Sequence, residues 1–205
     1  NLGIGPNNYG GAGMQVVADE LSVTELVRSQ ISGHASRGEP SALGVLGGSG
    51  GGLYLYGYQT TTIIRDSTIA NNQSTGSGGG LYLAGYASGV EITGSTISGN
   101  QADLSGGGLY LYHDLSSAVR LAHSTITGNQ ADQANTSLAF GGGLSSYGAT
   151  AELDHTILAG NTSLSGLGPD LYGPAAVAYT LLGNDSDAWL TIVGSGNQIG
   201  TAAPP

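Results

Sequence analysis

The chain has 205 residues, a formal net charge of −10 and only four positively charged side chains, all of them arginine. This balance argues against nucleic-acid binding, which needs a basic surface, and against binding to anionic membranes. The absence of cysteine excludes disulfides and cysteine-ligated metal sites. No apolar run approaches the ~20 residues of a membrane-spanning helix, so we expect no membrane insertion by this segment.

A repeat of about 28 residues follows residues 1–10, which we expect to form an extended arm. The motif Gly-Gly-Gly-Leu-Tyr-Leu begins at Gly50 and returns at Gly78 and Gly106, two steps of 28 residues, with a shorter copy at Gly141. A second motif, Ser-Thr-Ile followed by Gly-Asn or a close variant, keeps the same period. Two motifs with one period indicate a single repeating structural unit.

Each repeat predicts three short strands, which in the best-defined copy are residues 81–83, 90–92 and 95–98. Apolar and polar residues alternate in them, and glycine or asparagine separates them, which is the signature of strands and turns. Residues 19–28 resemble a helix at first sight, but Leu26 falls in register with Ile64 of the next repeat. We therefore predict a strand there as well.

Three short strands cannot bury their apolar side alone, but stacked turns bury a continuous core because each inward residue packs on its own copy. The sequence therefore predicts an all-β, right-handed, single-stranded parallel β-helix solenoid of six to seven rungs. We expect one domain over 1–205: the arm at 1–10, repeat rungs at 10–184, and a closing rung and tail at 185–205. The expected inner columns are Leu53, Leu81, Leu109, Leu144 and Leu171, and Ile31, Ile69, Ile97, Ile126, Leu158 and Leu181.

Asparagine recurs at one corner of the repeat, where its amide group can bond to the copies above and below. We predict an inward-facing structural ladder of Asn72, Asn100, Asn129, Asn161 and Asn184. Solvent-facing turn asparagines are the alternative, because asparagine is common in turns. Both interpretations give these residues a structural role.

The two motifs resemble the right-handed β-helix repeats of bacterial polymorphic outer-membrane proteins and of choice-of-anchor surface proteins. The resemblance covers about residues 10 to 200, and residues 194–201 are similar to the segment that closes such helices. It implies a bacterial protein that is extracellular or held at the cell surface. It implies no particular ligand, because one fold supports many functions.

Acidic and histidine side chains form no convincing catalytic or metal-binding set. Glu91 and Glu152 share an outward column, but Arg120 stands between them and favours charge pairing over catalysis. His123 and His155 also share a column, and turn histidines explain it better than a metal site. We predict no catalytic residue, no metal and no cofactor.

Tyrosine is the main aromatic residue, and its copies form two outward columns. The predicted contact residues, for sugar rings or a neighbouring subunit, are Tyr54, Tyr56, Tyr82, Tyr110, Tyr112 and Tyr147, with Tyr172 continuing the first column. Tyrosine offers a large contact area with a polar tip. The alternative is that each tyrosine packs only on its copy in the next rung.

These observations favour a non-enzymatic structural or adhesive β-helix of the cell exterior. Because the ends of a β-helix present unpaired strand edges, we expect self-association, as a homo-oligomer or a head-to-tail filament. A carbohydrate-binding module, with surface glycans as partners, or a polysaccharide-degrading enzyme of the β-helix type is the alternative.

Overall fold

The computed structural model describes residues 13–18, 21–38, 48–86, 88–113, 119–131, 139–184 and 187–200. The predicted arm at residues 1–10 lies outside them, as does the end of the tail. No helix long and apolar enough to cross a membrane occurs in this described part of the chain. Its regular structure consists of short parallel strands that wind into successive turns.

The strands are as follows in chain order. The first three turns contain β1 (Met14–Ala18), β2 (Val23–Val27), β3 (Gln30–Ser32), β4 (Ala35–Ser36), β5 (Leu53–Tyr58), β6 (Thr61–Arg65), β7 (Thr68–Ala70), β8 (Gln73–Ser74), β9 (Leu81–Tyr86), β10 (Gly89–Thr93), β11 (Thr96–Ser98) and β12 (Gln101–Ala102). The later turns contain β13 (Leu109–His113), β14 (Val119–Ala122), β15 (Thr125–Thr127), β16 (Gln130–Ala131), β17 (Leu144–Tyr147), β18 (Ala151–Asp154), β19 (Ile157–Leu158), β20 (Thr162–Ser163), β21 (Leu171–Ala178), β22 (Leu181–Leu182), β23 (Asp187–Ile192) and β24 (Gln198–Ile199).

Stacking of equivalent strands produces three parallel sheets. The largest has 12 strands and joins the first and second strand of each turn, because β21 pairs with both β17 and β18. The third strands form a sheet of seven, and the fourth strands form a sheet of five. The predicted parallel β-helix is therefore confirmed, and the three predicted strands of a turn are joined by a short fourth strand in each of the first five turns. The two-residue strand after each ladder asparagine, such as β12, is too short to show alternation.

The core is the stack of inward-facing aliphatic side chains. Leu81 pairs with Leu53 and Leu109, and Ile92 pairs with Ile64 in the same way. These side chains are at most 2% exposed, because copies above and below cover them. The predicted register of Leu26 with Ile64 is also confirmed.

One predicted member of the second inner column is wrong. Leu158 pairs with Leu182, not with Leu181. Leu182 is buried, whereas Leu181 is 37% exposed and lies on the outer surface beside Ile157. The sequence alone does not show which of the two adjacent leucines faces inward, because both are apolar; the strand register decides it.

The glycine run forms a tight bend between the short fourth strand and the next turn. Gly78 has a φ of 71°, in the left-handed region that favours glycine. A Cβ on Gly79 would collide with the carbonyl oxygens of Gln101 and Gly107. The repeated glycines therefore allow backbones of adjacent turns to approach closely.

Candidate functional site

A ladder of buried asparagines runs along one corner of the helix and confirms the prediction for four of its members. The backbone N–H and the side-chain Nδ2 of Asn72 both donate to Oδ1 of Asn100, at 3.0 Å. Asn100 donates in the same way to Asn129, and Asn129 to Asn161. The other amide hydrogen of Asn100 bonds to the carbonyl oxygen of Ile69, 3.0 Å away. These side chains are at most 5% exposed, so the solvent-facing alternative is wrong.

The predicted fifth member, Asn184, does not follow Asn161 in the ladder. Each ladder asparagine comes three residues after the inward aliphatic residue, as Asn161 follows Leu158, whereas Asn184 comes two residues after Leu182. Asp170 takes the acceptor role: its Oδ1 accepts the backbone N–H and the Nδ2 of Asn161, both at 2.8 Å.

Asp170 is a buried carboxyl at a position that is glycine in the preceding turn. Leu144 donates its N–H to the Asp170 carbonyl, so Asp170 stacks on Gly143, the residue before Leu144. The side chain is 3% exposed, and burial raises the pKa of Asp170, against the opposing effect of the hydrogen bonds from Asn161 and Asn184. Periodicity could not reveal this residue, because it departs from the repeat.

A second ladder of hydroxyl side chains runs along the corner before the third strand. The N–H of Ser67 donates to Oγ of Ser95, and the N–H of Ser95 donates to Oγ of Ser124, both at 3.2 Å. Each hydroxyl also donates to a carbonyl two residues before it, as Ser95 does to Thr93 at 2.9 Å. The two ladders thus provide hydrogen-bond acceptors for backbone N–H groups at two corners of the helix, where the chain passes between strands.

The first two tyrosines of the first column are buried, which contradicts their prediction as exposed contact residues. Tyr54 is 6% and Tyr82 is 2% exposed, and their rings stack with centroids 5.0 Å apart. Tyr110 stacks on Tyr82 at 5.3 Å and is half-buried. Burial raises the pKa of the Tyr110 hydroxyl to about 12 and raises the pKa of Tyr82 further. Tyr172, which continues the column, stacks on Phe140.

The second tyrosine column is exposed. Tyr56, Tyr112 and Tyr147 are 38%, 41% and 64% exposed, and Tyr112 stacks on Tyr147 with centroids 5.7 Å apart. Tyr58 and Tyr86 lie next to this column, pair with each other and are also exposed. We call these five residues the tyrosine face.

The charged side chains on the second strands pair differently from the prediction. Glu91, Arg120 and Glu152 do lie in one column, as predicted from their spacing. Arg120, however, forms its ion pair with Asp154, with Nη2 3.1 Å from Oδ2. Asp154, two residues after Glu152 on the neighbouring strand, competes with Glu152 for Arg120 because the long arginine side chain can reach either carboxylate.

Asp154 also contacts a column of aromatic rings. Its Oδ1 lies 2.7 Å from Nδ1 of His155, whose ring stands between those of His123 and Tyr179 at centroid distances of 4.9 and 4.7 Å. The hydrogen bond with His155, helped by Arg120, lowers the pKa of Asp154. The described residues include no group of three or more side chains able to hold a metal ion.

The family comparison agrees with this architecture. The model of the right-handed β-helix region matches residues 7–163, more than half of the chain. The chain therefore belongs to the right-handed β-helix family. No curated protein and no solved structure matches it.

Proposed function

We propose that the chain is a non-enzymatic structural or adhesive rod of the bacterial cell exterior, and that copies of it stack head to tail. The observation that carries this proposal is the half-exposed core at both ends of the stack. Met14, Val16 and Leu26 in the first turn and Ile199 in the last turn pack on the core but are only partly buried.

Interior copies of the same positions are more buried than those in the first and last described turns. Leu53 and Leu55, which pair with Met14 and Val16, are each 2% exposed because a turn covers them on both sides. Leu21 and Val23, 88% and 61% exposed, add further apolar surface to the first turn. A second copy placed with its last turn on this first turn would continue both the core and the strand pairing.

The direction of the strands fixes the polarity of this assembly. All strand pairings between turns are parallel in the described part of the chain. An added turn therefore continues the sheets only if the last turn of one copy meets the first turn of another. Such a heterologous contact does not close on itself and generates a filament.

The test is the concentration dependence of the mass, measured by sedimentation velocity and by electron microscopy of the same samples. We expect wild-type protein to form rods of increasing length, and we expect Leu21→Glu with Val23→Glu to remain monomeric. Ile157→Glu is the matched control, since Ile157 is 45% exposed in the middle of the rod. Wild-type protein that stays monomeric at about millimolar concentration would refute the proposal.

The tyrosine face supports carbohydrate binding as a second candidate function. Its five exposed side chains lie on β5, β9, β13 and β17, so they form a surface four turns long. Aromatic rings with polar tips suit contact with sugar rings. Retention on immobilised polysaccharides measures such binding, and product release measures turnover by an enzyme. Binding that survives Tyr112→Ala with Tyr147→Ala would exclude this face, with Tyr179→Ala as the exposed tyrosine control.

A further inference from the structure

A polar groove lies on the outer surface of the five-stranded sheet, at the N-terminal half of the helix and apart from the tyrosine face. Its volume is about 300 Å³. Its outward-facing lining is Ala35, Arg37, Gln73, Thr75, Gln101 and Asp103. This volume is at the lower end of the range for small-molecule sites, which is about 300–1,000 Å³.

Two rows of side chains build the groove across three turns. Ala35, Gln73 and Gln101 pair in register and form one row. Because alternate residues of a strand point to the same side, Arg37, Thr75 and Asp103 form the other row, two positions further along. Turns are spaced by about 4.8 Å, so Arg37 and Asp103 stand about 10 Å apart at opposite ends of the groove.

Hydrogen-bonding groups remain available in both rows. Nε2 of Gln73 donates to Oε1 of Gln101 at 3.1 Å, which leaves the amide oxygen of the first and the amide nitrogen of the second. Thr75 is occupied, since its hydroxyl accepts the N–H of Gly38 at 3.0 Å. Neither Arg37 nor Asp103 forms an ion pair among the described side chains. Asp103 is partly buried, and this burial raises the pKa of its carboxyl.

This chemistry selects a class of ligand. One guanidinium and one carboxylate cancel in charge, so the groove favours a neutral molecule over a polyanion. The described residues that line it include no aromatic or large aliphatic side chain, which disfavours an apolar ligand. A neutral sugar carries hydroxyl groups that both donate and accept, and so it suits a site with a carboxylate acceptor, an amide donor and a guanidinium donor.

We propose that this groove binds one neutral hexose unit of a glycan. Asp103 accepts hydrogen bonds from two sugar hydroxyls, and Gln101 and Arg37 donate to sugar oxygens. This site is independent of end-to-end assembly and of the tyrosine face. It would give a β-helical rod a lateral contact with carbohydrate.

The experiment is an NMR titration of the full chain with methyl glucoside, methyl galactoside and methyl mannoside, with sodium galacturonate as the anionic comparison. We expect saturable binding of at least one neutral glycoside. Asp103→Ala and Gln101→Ala should each raise its Kd at least 10-fold, because each removes a hydrogen-bonding partner at the ligand. Gln130→Ala is the matched control: Gln130 pairs with Gln101 one turn further on and does not line the groove.

Several outcomes would overturn the proposal. One is no saturation with any neutral glycoside up to about 50 mM, and another is tighter binding of galacturonate than of every neutral glycoside. A third is binding that Asp103→Ala leaves unchanged and Tyr112→Ala abolishes, which would move the site to the tyrosine face. Thermal unfolding of each variant separates loss of binding from loss of fold.

Discussion

Replacing Asn100 with alanine is expected to remove the centre of the asparagine ladder. Asn100 is 0% exposed and makes four side-chain hydrogen bonds. Its loss leaves three buried groups without these partners: the N–H of Asn72, one amide hydrogen of Asn72, and the carbonyl oxygen of Ile69. The acceptor oxygen of Asn129 keeps the backbone N–H of residue 100.

The magnitude follows from these three groups. A buried polar group left unsatisfied costs about 1–3 kcal/mol. With allowance for local relaxation, we expect Asn100→Ala to lower the free energy of unfolding by about 3–6 kcal/mol. That is a large part of the roughly 5–15 kcal/mol that stabilises a typical domain.

The assay is urea unfolding followed by far-ultraviolet circular dichroism. Asn71→Gly is the matched control, because Asn71 is exposed and has a φ of 55° that glycine adopts without strain. We expect the control to change stability by less than about 0.5 kcal/mol, the usual range for surface substitutions. A loss below about 1 kcal/mol for Asn100→Ala would refute the assignment of the ladder as a main source of stability.

Three further predictions concern other buried groups. Because the folded-state pKa of Asp170 is raised, this carboxyl contributes most to stability below its unfolded pKa and loses that contribution as pH rises through the folded pKa. The free energy of unfolding of Asp170→Asn, relative to that of wild type, should therefore be higher at pH 7 than at pH 3. An equal difference between the two proteins at both pH values would contradict this. Gly79→Ala should lower the free energy of unfolding by about 1–3 kcal/mol, since its Cβ meets backbone, whereas Gly89→Ala has open space and should be neutral; equal effects in urea unfolding would count against close backbone packing. In a spectrophotometric titration, Tyr110 should ionise near pH 12 and Tyr82 later, and Tyr110→Phe should delete the corresponding step from the curve while leaving the exposed tyrosines unchanged.

The sequence predicted the core and the ladder well, because both depend on contacts between one turn and the next. Such contacts repeat with the 28-residue period, so Leu81, Ile92 and Asn100 can be placed from the copies that precede and follow them. Errors appear where the period is disturbed. Leu181 and Asn184 lie in a weak copy of the motif, where a shift of one residue moves a side chain between the core and the surface.

The outer surface was predicted less well, because it depends on contacts that do not repeat. Tyr54 and Tyr56 are both aromatic and two residues apart, yet one is buried and the other is exposed. Arg120 was expected to pair with its neighbours in the same column but reaches the diagonal Asp154. Alternation along a strand predicts whether a side chain points into the core or outward. It does not predict whether neighbouring side chains bury an outward-pointing residue.

Because the turns stack regularly, the length of the helix is set by the number of turns. Removing residues 79–106 would join Gly78 to Gly107, and the ladder would close again between Asn72 and Asn129. The shortened protein would differ from the original by one strand spacing, about 4.8 Å. Duplication of the same segment would add the same increment. A gene that gains or loses whole repeats would therefore change the length of this protein in fixed steps of one turn, without altering its two ends.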